Sequence, residues 1–114
     1  MPHLVLECSE KVLELYTPEK LIQEIYDTVV SVDGFPNNVM VRIIPFKHFI
    51  TIDTKDDFIY ICASILEGRT TEQKKELSTQ VVSLLKDKFP TLKKISMTFR
   101  EFERATFTNN SMIS

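Results

Sequence analysis

The chain has 114 residues, a length that suits one domain and is short for two. Its 14 Lys and Arg against 16 Asp and Glu give a formal net charge of -2, which argues against a nucleic-acid binder while leaving room for a local basic site. No run approaches the roughly 18 apolar residues of a membrane span, and no basic-then-apolar leader opens the sequence, so a cytoplasmic protein with no membrane partner is expected.

Pro2 opens a period-two segment. Leu4, Leu6 and Cys8 face one way and His3, Val5 and Glu7 the other, which predicts a strand. "SEKVLELY" is irregular. In "TPEKLIQEIYDTVV", Thr17 can cap a helix whose first residue is Pro18, where the missing N–H costs nothing. Leu21, Ile25 and Val29 form its apolar face, and "DGFPNN" breaks it. "VMVRIIPF" is the next strand, with Val39, Val41 and Ile43 on one side and Met40, Arg42 and Ile44 on the other. Pro45 cannot donate to a ladder and marks a bulge, an end or an edge. "KHFITIDT" reads as an arm or short strand and "TKDD" as a turn.

The second half begins with "FIYICASIL", a continuously apolar run of the kind covered on both faces. Thr70 and Gln73 have capping-box spacing ahead of a helix whose buried side runs through Leu77, Val81, Leu84, Leu85 and Lys88. Pro90 stops it, and "KKISMTFREF" is a last strand with Ile95, Met97 and Phe99 on one face. The polar tail from Glu103 shows no clear element. The order is β-α-β twice, over about residues 2–46 and 57–102. Such parallel pairs cross over right-handedly. The expected fold class is α+β: one domain over residues 1–114, with two β-α-β units forming a four-stranded mixed sheet and two helices on one face. The bare second face then calls for an oligomer packed sheet to sheet.

Few reactive constellations survive inspection. His3 and His48 lie near no cysteine pair of metal-ligand spacing, and Gly34 and Gly68 are too few for a phosphate loop. Cys8 and Cys62 sit in apolar runs and read as small buried hydrophobes. The carboxylates are scattered on helix faces as solvated charges. What remains is Pro2 with Arg42 and Arg69. Arg69 lies between an apolar strand and a capped helix N-terminus, a common place for anions, and arginine's fork suits carboxylates. Either arginine can equally be a surface ion pair, and proline is tolerated at a strand's first residue. If Met1 is removed, however, Pro2 becomes a secondary amine. Burial and a neighbouring guanidinium both disfavour the cation of such an amine, making it a candidate general base.

"MPHLVLECS", Phe35-Pro36 and "EGRTTEQKKEL" after an apolar strand resemble the 5-carboxymethyl-2-hydroxymuconate isomerase family of the tautomerase superfamily. The resemblance implies a homotrimer of tautomerase-like subunits and an isomerase that needs no cofactor or metal. It implies a carboxylated dienol substrate from homoprotocatechuate degradation, with Pro2 as base and Arg69 as a substrate-binding arginine. The amine takes the enol proton and returns a proton to the carbon chain, while arginines hold carboxylates and the dienolate oxygen. Leu4, Phe35 and Phe46 are candidates for a hydrophobic wall. One departure stands out. The family's second strand carries two arginines separated by one residue, whereas "VMVRI" has only Arg42, with Met40 or Ile44 in place of the other. A tautomerase of a simpler enol, or a non-catalytic trimeric binding protein, are the alternatives this leaves.

Overall fold

A computed structural model describes residues 2–35, 38–51 and 56–113. Its strands are β1 (His3–Ser9), β2 (Met40–Phe46), β3 (Phe58–Leu66) and β4 (Lys94–Phe102). They form one sheet in the order β2-β1-β3-β4. β1 runs parallel to β2, and β3 runs parallel to β4. The two halves join through the antiparallel β1–β3 pair, with Leu6 opposite Ile61. The predicted mixed four-stranded architecture is therefore present. Pro45 lies on β2, an edge strand, where its lost N–H breaks no ladder on the outer side.

Helices α1 (Glu10–Leu15) and α2 (Pro18–Ser31) link β1 to β2, and α3 (Thr71–Lys88) links β3 to β4. Helix α1 falls in the stretch read from sequence as irregular. It spans six residues, too few to hold itself, and Val12 anchors it in the core. Helix α2 starts at Pro18 as expected. Thr17 makes no side-chain cap, however, and its carbonyl instead accepts from the Leu21 amide at 3.0 Å. Helix α3 has the predicted reciprocal cap: Gln73 N donates to Thr70 Oγ1 at 3.1 Å and Thr70 N donates to Gln73 Oε1 at 2.9 Å.

The core lies between the helices and one sheet face. Leu4, Leu6, Cys8, Ile59, Ile61, Ala63 and Ile65 meet Leu21, Ile25, Val29, Leu77, Val81 and Leu85 there. Truncating one of these leucines or isoleucines to alanine costs about 2–5 kcal/mol. The opposite face carries cross-strand rows such as Met40–His3–Ser64–Arg100 and Arg42–Val5–Cys62–Thr98. Strand β3 thus departs from the expectation of burial on both sides. It alternates between buried residues and half-buried ones, because among the described residues no element covers Tyr60, Cys62 and Ser64. Of the expected arm and turn after β2, residues 52–55 lie outside the described residues, and Thr51 forms an isolated bridge. The tail ends in a 3-10 turn at Asn110–Met112, capped by Asn109.

Candidate active site

The antiparallel centre of the sheet gathers four strand ends. β1 and β2 start where β3 and β4 finish, so Pro2, the β3–α3 turn with Arg69 and the segment after β4 share one end of the molecule. Pro2 is buried, and its carbonyl accepts from the Met40 amide at 2.9 Å, which extends the β1–β2 pair by one residue.

Arg69 is half-buried and firmly held. Its Nε donates to the Gly34 carbonyl at 2.9 Å and its Nη1 to the Leu66 carbonyl at 3.5 Å. Its guanidinium carbon lies 4.7 Å from the centroid of the buried Phe35 ring. Burial, and secondarily the charge of Arg104, pull Arg69 below its ordinary pKa. Gly34 supplies this carbonyl from a left-handed turn, φ +92°, that ends the α2 segment. The second half of the chain is thus locked onto the end of the first.

Arg42 is elsewhere. It is exposed on the open sheet face, opposite Val5 on β1, between Met40 and Ile44 along β2. Arg69 is bound instead to Gly34 and Phe35, which follow the helix-side segment α2. The chain therefore brings Pro2 and Arg69 to one end of the sheet and leaves Arg42 on its uncovered face.

Of the expected hydrophobic wall, Leu4 and Phe35 are buried near this end. Phe46 is not part of it. It is the last residue of β2, paired with Ser9 and stacked on Phe58 at a centroid distance of 6.5 Å, at the opposite end of the sheet. Pro36 lies outside the described residues. A cleft of about 700 Å³ opens at that far end, lined by Ser9, Phe46, His48, Asp57 and Leu92 among others. Neither Pro2 nor any arginine lines it. A shallower hollow of about 630 Å³ follows Val30 to Phe35.

Sequence reading overlooked Arg104. Its Nη2 donates to the Glu67 carbonyl at 3.4 Å and its amide to Glu67 Oε2 at 2.9 Å. It follows a strand in a tail without periodicity, so no local pattern marks it. Only the parallel β3–β4 pairing brings it beside Arg69.

Paired β-α-β units around an antiparallel seam are the architecture of the tautomerase superfamily, and solved structures share it. A 5-carboxymethyl-2-hydroxymuconate isomerase from Deinococcus radiodurans R1 superposes with a TM-score of 0.81 at 26% identity, covering 95% of this chain and 87% of that one. A 5-carboxymethyl-2-hydroxymuconate delta-isomerase gives 0.74 at 18% identity, covering 96% and 86%. A fused 4-OT described as a symmetric trimer gives 0.78 at 15% identity, covering 95% and 91%, and at that identity attests the fold alone. No curated protein matches the chain in sequence. The sequence model of the 5-carboxymethyl-2-hydroxymuconate isomerase family matches residues 2–113, and the chain belongs to that family. It is an isomerase of the tautomerase superfamily.

Proposed function

We propose that this isomerase moves a proton between oxygen and carbon of a carboxylated 2-hydroxymuconate-type dienol, with the amino-terminal amine of Pro2 as the base. The carrying observation is the burial of Pro2 at the sheet end that also holds Arg69. Loss of Met1 turns the Pro2 nitrogen into a secondary amine. Burial and a nearby guanidinium favour its neutral form, which can accept the enol proton and deliver a proton to the chain. Arg69 holds a substrate carboxylate and offsets charge on the dienolate oxygen in a water-poor setting. No metal or cofactor enters this scheme. Pro2→Ala should lower turnover of a 2-hydroxymuconate by about 10²–10⁴-fold with the fold intact. An unchanged rate removes Pro2 from the chemistry.

The working unit in this reading is a cytoplasmic homotrimer of one-domain subunits, 1–114. The open sheet face supports it, because Met40 and Ile44 are about 40% exposed there beside Val5 and Tyr60. Assembly sheet to sheet would bury them and bring Arg42 to a neighbouring subunit as a further substrate contact. A second reading is a simpler enol substrate. It is favoured by the flanking of Arg42 with Met40 and Ile44, which leaves β2 with one cation. Rates on mono-, di- and tricarboxylate enols separate the two: a wide margin for the tricarboxylate ends the simpler-enol reading.

A further inference from the structure

We propose that Arg104 joins Arg69 in a two-guanidinium carboxylate site on the β3–α3 turn, supplying the second cation that β2 lacks. This deepens the carboxylated-enol reading and rests on it for the identity of the ligand.

The turn itself builds the pair. β3 and β4 stay paired to Leu66–Phe102, and the Glu67 amide extends the ladder by donating to the Phe102 carbonyl at 3.1 Å. The chain then folds back over the turn. Arg69 holds the Leu66 carbonyl through Nη1, and Arg104 holds the next carbonyl, Glu67, through Nη2. Two guanidinium groups thus grip consecutive carbonyls of one turn. Gly68 sits between them with φ +122°, and a Cβ there would lie 3.9 Å from Arg104 Nη2. A side chain at this position would be strained by the backbone conformation, while its Cβ would meet Arg104 only at ordinary contact distance.

The charges are left open toward a ligand. Among the described residues, no carboxylate forms an ion pair with either guanidinium. Glu67 touches Arg104 through Oε2, which accepts from the Arg104 main-chain amide. Burial first, and the like charge of Arg104 second, lower the pKa of Arg69, so the two cations lie within electrostatic reach of one another. Each guanidinium has five N–H donors, and only two of Arg69 and one of Arg104 are used on carbonyls. A carboxylate, planar and with two oxygens, can take the remaining donors and relieve the repulsion. The substrate class implied is a carboxylated enol, with a carboxylate seated here.

Calorimetric titration with hexanoate and with hexanamide, which share six carbons and differ in charge, tests the site without turnover. The native protein should bind hexanoate about tenfold or more tightly than hexanamide. Arg104→Gln should abolish most of that preference at an unchanged thermal midpoint, and Arg104→Lys should restore part of it. Because binding is read without turnover, a failure of the Pro2 base leaves these outcomes untouched. No hexanoate preference in the native protein, a full preference kept by Arg104→Gln, or equal weakening of acid and amide in that variant overturns the proposal.

Discussion

The guanidinium of Arg69 lies over the face of the Phe35 ring, 4.7 Å from its centroid. The two residues come from different β-α-β halves, so this stack couples the architecture to the proposed site. Phe35→Leu keeps an apolar side chain in the core and removes the ring face. A cation–π contact of this kind contributes about 0.5–2 kcal/mol. The expected outcome is a severalfold rise in KM for a carboxylated enol, with kcat less affected and a small loss of thermal stability. A KM equal to the native value would mean that Arg69 does not contact substrate.

Gly34 is held in a conformation that L residues rarely adopt, and a Cβ there would lie 2.6 Å from Gln73 Nε2. Gln73 is also half of the α3 capping box. Gly34→Ala should therefore cost about 1–3 kcal/mol through backbone strain and disturb the cap as well. In a Gln73→Ala background the steric part disappears while the backbone part stays. Chemical denaturation of the single and double variants should show non-additivity. Strict additivity would mean that Gln73 swings clear at no cost.

Much of this fold is legible in the sequence because its signals are periodic. The alternation of Leu4, Leu6 and Cys8 predicts β1, and the Thr70–Gln73 spacing predicts the start of α3. Helix α1 escapes because six residues with one buried side chain are held by tertiary packing, which leaves little local pattern. The half-buried face of β3 is legible only as a face needing a second cover, because an apolar run does not say whether that cover comes from the same chain. For the proposed site, Pro2 and Arg69 are nominated by the family resemblance and by their positions at strand ends. Arg104 is not, since its proximity to Arg69 follows from strand pairing across 35 residues of sequence.

Glu24, Tyr16 and Lys88 tie the start of α2 to the end of α3. Lys88 Nζ lies 2.6 Å from Glu24 Oε2 and 2.9 Å from Tyr16 Oη, and Tyr16 donates to the same Glu24 oxygen at 2.7 Å. The Lys88 bond first, and the Tyr16 bond second, lower the Glu24 pKa; the Glu24 bond raises that of Lys88. The Glu24 contribution to stability is full above the ordinary carboxylate range and is lost as pH falls through its lowered folded value. That of Lys88 is full below the ordinary lysine value and is lost as pH rises through its raised one. Thermal melts from about pH 5 downward should show a shallower loss in Glu24→Gln than in the native protein. Parallel pH curves would assign no linkage to this cluster.

Processing of the amino terminus is a direct check on the proposed base. Intact-mass measurement should give the sequence mass less one methionine residue. A preparation forced to keep Met1, whose Pro2 nitrogen is an amide, should then fold normally and lack turnover. Full activity with Met1 retained would transfer the base to another residue.

The two cysteines report on whether the open sheet face is covered. Cys8 is fully buried against the helices, and desolvation pushes its thiol up to about 11. Cys62 is half-buried on the opposite face, in register with Val5 on β1 and Thr98 on β4. Both are free. A thiol reagent at neutral pH needs access and thiolate, and Cys8 offers neither in the native state. Alkylation should therefore leave Cys8 untouched until the chain unfolds. Cys62 separates the assembly states. If three subunits meet sheet to sheet, it should be protected at high protein concentration and become reactive on dilution into the monomer range. Rapid Cys62 labelling at a concentration where sedimentation shows a trimer would mean that the subunits associate through another surface. The uncovered face would then need a different partner, and Arg42 would lose its proposed route to the active site.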